Sequence, residues 1–76
     1  MRILHLTRPE KAVMVTGLCL TRPDIEPTMN TEFTLEMAIT MFRQPNIISI
    51  LKLCCDNDAL LSLLELVAYK RKRYGL

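Results

Sequence analysis

The chain has 76 residues, of which 50% are hydrophobic and 24% charged, with a formal net charge of +2. That length allows one domain, 1–76, and the apolar fraction excludes a disordered segment. The charge is uneven: residues 1–69 carry six basic and eight acidic side chains, and Lys70-Arg71-Lys72-Arg73 then adds four cations.

The N-terminal third, 2–21, is expected to form a β-hairpin. "RILHLT" and "AVMVTGLCLT" are apolar and β-branched, and "RPEK" between them serves as a turn. A helix is the competing reading, since Thr7 and Glu10 have capping-box spacing and Gly17 can close a helix. Against the helix, Arg8 would be its first residue, yet it precedes Pro9 and so resists helical geometry. Residues 22–30, with two of the four prolines, read as a linker.

Three helices are expected after it. Thr31 caps the first, 31–43, whose Phe33, Met37 and Met41 recur at i, i+4, i+8; Gln44-Pro45 ends it. Asn46 caps the second, 46–55, where Ile47, Ile50, Leu51 and Cys54 form a stripe. "DND" then caps the third, 58–73. The expected fold is thus a small α+β domain, an N-terminal hairpin followed by three helices; the alternative is all-α, with four short helices.

The third helix is apolar almost all round as far as Tyr69. Such a helix is buried all round, which is hard to arrange in so short a chain without a partner. A homodimer is therefore expected, with Leu60, Leu63, Leu64 and Val67 at its interface and Met37 and Met41 as adaptable contacts. Another protein is a possible further partner.

Little in the sequence points to catalysis. His5, the single histidine, has no local nucleophile or carboxylate to complete a catalytic set. Cys54 and Cys55 are adjacent, so on a helix they diverge by about 100° and do not chelate one ion. Asp56 and Asp58 start like a calcium loop, but Leu61 and Val67 stand where glycine and glutamate are required. There is no glycine-rich phosphate loop. No enzyme activity, metal or cofactor is expected.

The basic run Lys70–Arg73, with Tyr74, suggests a second reading: a regulator that clamps nucleic-acid phosphates. Cations at a helix C-terminus also simply complement its dipole. A basic face joining Arg2, Arg8 and Arg22 to the tail would favour nucleic acid. No bilayer span is expected, because Ala12–Thr21 is about half of the ~20 residues required, and no membrane partner is expected either. No signal peptide is apparent, and an odd number of cysteines suits a reducing setting, cytoplasmic or nuclear.

One phrase occurs twice, "LTRPE" at 6–10 and "LTRPD" at 20–24. Fourteen residues is too short a period for a structural repeat. Each copy is expected to end an apolar run, the first as the hairpin turn and the second leading into the linker.

Overall fold

A computed structural model describes residues 2–76. Among these residues there are four α-helices and no strand: α1 (Arg8–Thr21), α2 (Leu35–Phe42), α3 (Ile47–Cys54) and α4 (Asn57–Tyr74). The expected hairpin over 2–21 is therefore incorrect, and the all-helical alternative fits.

The reason lies at residues 7–10. Thr7 is the N-cap, with extended backbone, and Arg8 and Pro9 occupy the first turn. Proline is harmless there, because the amide it lacks has no partner within the helix in any case. The capping box closes on both sides: the Glu10 amide donates to Thr7 Oγ1 at 3.5 Å, and the Thr7 amide donates to Glu10 Oε1 at 3.0 Å. Tertiary packing then overrides the β preference of Val13, Val15 and Thr16. Glu10, Val13, Met14, Gly17 and Leu18 are buried, a spacing of 3, 1, 3, 1 that belongs to a helix face.

"LTRPE" thus starts a helix rather than ending a run. "LTRPD" does close one, since Thr21 ends α1 and Pro23–Ile25 forms a single 3₁₀ turn. Arg8 and Arg22 consequently lie at opposite ends of α1, about 20 Å apart. Gly17 does not close the helix either. It sits inside α1 and lets α2 approach, for a β-carbon there would overlap the Met41 side chain.

The expected helix 31–43 begins four residues late. Phe33 is buried in extended conformation, and residues 2–4 run antiparallel beside it through an isolated bridge between Ile3 and Thr34. The Leu4 amide donates to the Phe33 carbonyl and the Leu35 amide to the Arg2 carbonyl, both at 2.8 Å. Thr34, not Thr31, is the N-cap and accepts from the Met37 amide at 3.2 Å. Thr31 instead accepts from the Thr28 amide at 2.8 Å within the loop.

α3 follows a left-handed Asn46 (φ 67°) whose side chain makes no capping bond. Asp56 does cap α4, accepting from the Asp58 amide at 2.9 Å. At its far end Gly75 is left-handed (φ 70°). The Leu76 amide donates to the Arg71 carbonyl at 2.8 Å and the Gly75 amide to the Lys72 carbonyl at 3.3 Å, the paired bonds of a Schellman closure. The basic run therefore lies wholly on helix.

α1 and α4 pack most extensively against each other, and each of them also packs against α2 and α3. Val13, Met14 and Leu18 of α1, Leu35 and Met41 of α2, Leu51 of α3 and Leu63 of α4 are the largest fully enclosed side chains, joined by Phe33.

Gly17→Ala tests the α1–α2 contact. Helix propensity alone gains about 1 kcal/mol, whereas displacing buried Met41 costs roughly 1–3 kcal/mol. A lower midpoint in urea denaturation is expected, and a second change, Met41→Ala, should blunt the loss.

Candidate functional site

The side chains expected to make a dimer interface do not share one surface. Leu60, Leu63, Val67 and Met41 are buried in the chain's own core, while Leu64 and Met37 are half-buried. With residues 2–21 as a hairpin, α4 would be short of neighbours; α1 is the helix that covers it instead.

What stays apolar and open lies elsewhere on the same helices. Leu53 is 88% exposed and Leu61 56%. Lys52 of α3 and Asn57, Leu60, Leu61 and Leu64 of α4 line one groove of about 360 Å³. Glu65 is exposed on α4 four residues after Leu61, so both project from the same flank of the helix.

The second notable surface is the C-terminal end of α4. Arg2, Glu36, Thr40, Arg43 and Arg71 line a single cleft of about 240 Å³, closed at one side by Leu76. Arg2 forms an ion pair with Glu36, and its guanidinium lies 5.1 Å from the centre of the Tyr74 ring. The hydrogen bond from Arg2, helped by the backbone, keeps the Glu36 carboxyl below the ordinary carboxylate range. Among the described residues, Arg43 and Arg71 make no ion pair. Arg71, Lys72, Arg73 and Tyr74 are exposed and Lys70 is half-buried.

Of the three arginines that would extend the tail into a basic face, only Arg2 joins it. Arg8 opens α1, and Arg22 is tied to Asp24 at 3.3 Å. Arg43 is not legible from the sequence as a member: it follows α2, and no spacing links position 43 to position 71.

Glu10 is the one buried charged side chain among the described residues, 7% exposed. Its Oε1 accepts from the Thr7 amide and from Thr7 Oγ1 at 3.1 Å, and its Oε2 accepts from Ser62 Oγ of α4 at 2.5 Å. Burial pushes its pKa up, but the bonds from Ser62 and Thr7 outweigh burial and leave it below the ordinary value. Both its oxygens have partners, and together these bonds join the start of α1 to α4.

His5 is exposed beside a shallow pocket lined also by Lys11, Asn30 and Glu32. Cys19 and Cys54 are exposed, Cys55 is half-buried, and all three are free thiols. No three potential metal ligands come together among the described residues. No helix there is long and apolar enough to cross a membrane. No family model, no curated protein and no solved structure matches this chain.

The Glu10–Ser62 contact makes a prediction about acid. A carboxyl whose pKa is lowered by folding adds stability above its ordinary value of 4.5, and that stability is lost as pH falls through the folded value. Between about pH 5 and pH 3 the thermal midpoint should fall, and less so in Glu10→Gln. Ser62→Ala should cost about 1 kcal/mol at pH 7. Equal acid sensitivity in wild type and Glu10→Gln would show that Glu10 contributes nothing to it.

Proposed function

We propose that this is a small non-enzymatic interaction protein that pairs with a second copy of itself through the α3–α4 groove. The observation that carries the reading is the exposed leucine surface on a chain that already has a complete core. Leu61 stands 56% exposed beside a groove floored by Leu60 and Leu64, although fourteen other hydrophobic residues are buried. Full burial of a leucine gains about 1.5–3 kcal/mol, and Leu61, 56% exposed, gains roughly half of that when a partner covers it.

A second copy suits the groove because opposite charges flank it, Lys52 in its lining and Glu65 exposed on α4 beyond Leu61. Lys52 stands on the α3 side and Glu65 on the α4 side. In a two-fold pair each Lys52 faces the partner's Glu65, so two contacts form from one surface. The free thiols suit a reducing compartment, cytoplasmic or nuclear. A regulatory role follows if pairing controls a further partner.

Light scattering checks the reading. At about 100 µM the wild-type protein should have roughly twice the 8.8 kDa mass of one chain. Leu61→Lys, at an exposed position, should keep the helical circular-dichroism spectrum and remain monomeric. A wild-type protein that stays monomeric at that concentration overturns the proposal.

A further inference from the structure

The cleft at the C-terminal end of α4 has no part in that pairing surface, and its chemistry is different. Six cations gather at this end: Arg2, Arg43 and the run Lys70–Arg73. Glu36 is the one acidic side chain lining the cleft with them. The remainder of the chain holds four cations and seven carboxylates. The molecule is therefore polarised, with a positive end and a mildly negative body.

Helix-dipole compensation accounts for part of this. Arg71, Lys72 and Arg73 lie in the last turn of α4, and Arg43 caps α2. It does not account for their convergence. Arg2 comes from the extended N-terminal segment, Arg43 from the end of α2 and Arg71 from α4, yet all three line one concavity. Bringing like charges together from three elements raises the energy of the unliganded fold, and one carboxylate offsets only Arg2.

We infer that this cleft binds the phosphodiester backbone of a single-stranded nucleic acid, with Arg43 and Arg71 as the phosphate contacts. Guanidinium suits phosphate because it is planar, always charged and able to bind two phosphate oxygens with parallel bonds. A polymer fits better than a small anion, because exposed Lys72 and Arg73 extend the positive surface beyond the cleft. A single strand fits better than a duplex, because the 46%-exposed Tyr74 ring stands beside the phosphate contacts, with the Arg2 guanidinium 5.1 Å from its centre. Unpaired bases stack on such aromatic and guanidinium planes. A concave site also suits a strand more than the flat face of an anionic bilayer.

The test is fluorescence anisotropy with a labelled single-stranded DNA of about 20 nucleotides and mixed sequence, at two salt concentrations. Wild-type protein should bind with a strongly salt-dependent affinity. Arg43→Gln/Arg71→Gln should lower affinity on the order of tenfold and flatten the salt slope by about 1.4, the loss of two single-strand phosphate contacts. Lys72→Gln/Arg73→Gln removes the same charge from outside the cleft and should cost less. Glu36→Gln, which lifts the competing carboxylate, should tighten binding. All of these positions are exposed, so circular dichroism should be unchanged. Absence of binding at low salt overturns the proposal. So does an equal loss in the two double variants, or tighter binding to a duplex of the same length or to phosphatidylserine vesicles. The groove variant Leu61→Lys should bind the strand as a monomer, which keeps this result separate from the dimer.

Discussion

One buried carboxylate ties the start of the first helix to the last helix. Glu10 holds the first turn of α1 by bonding back to Thr7, and it holds α1 to α4 by accepting from Ser62, fifty-two residues away. Local and long-range structure thus meet in a single side chain. That turn starts the helix, and packing then overrides the β preference of the sequence after Ala12. In the helix, Val13, Met14 and Leu18 face inward together, and α4 gains the neighbour that buries its second side. Removing Ser62 leaves Glu10 still bonded to Thr7, so the loss is that of one charge-assisted bond.

The same meeting of local and long-range structure explains what is and is not legible in the sequence. The helices near 46–55 and 58–73 are legible because Ile47 and Leu51 recur at helical spacing and Asp56 precedes a long leucine run. Even so, Asn46 makes no side-chain cap, and Ile50 and Cys54 of the expected stripe are exposed. The first helix is hidden because "AVMVTGLCL" is continuously apolar, so its inward and outward faces look alike. Its capping box is visible, but the extended preference of a residue before proline argues the other way. Tolerance of proline in a first turn wins that contest in the folded chain. The start of α2 is obscured for a related reason. Thr31 and Thr34 are both good caps, and only the pairing of Phe33 with Leu4 decides between them.

The candidate surfaces show a similar division. The tail of cations is plain in the sequence, but its companions Arg2 and Arg43 come from remote positions and require the fold. The leucine pattern of α4 signals burial, yet what buries Leu60 and Leu63 is the chain itself. Of the α4 leucines, Leu61 stays exposed and Leu64 and Leu66 half-buried. An apolar groove near the start of α4 and a cationic cleft near its end give one helix two different surfaces. The leucine half of α4 is suited to contacts that exclude water; the basic half is suited to contacts that replace counterions.

The central claim is that residues 8–21 form a helix docked on α4, and nuclear magnetic resonance of the labelled protein tests it most directly. The account predicts helical Cα shifts across Arg8–Thr21, slow exchange of the Met14 and Leu18 amides, and cross-peaks linking Glu10 to Ser62. Extended shifts over 12–20, with cross-strand contacts to residues 3–6, would contradict it.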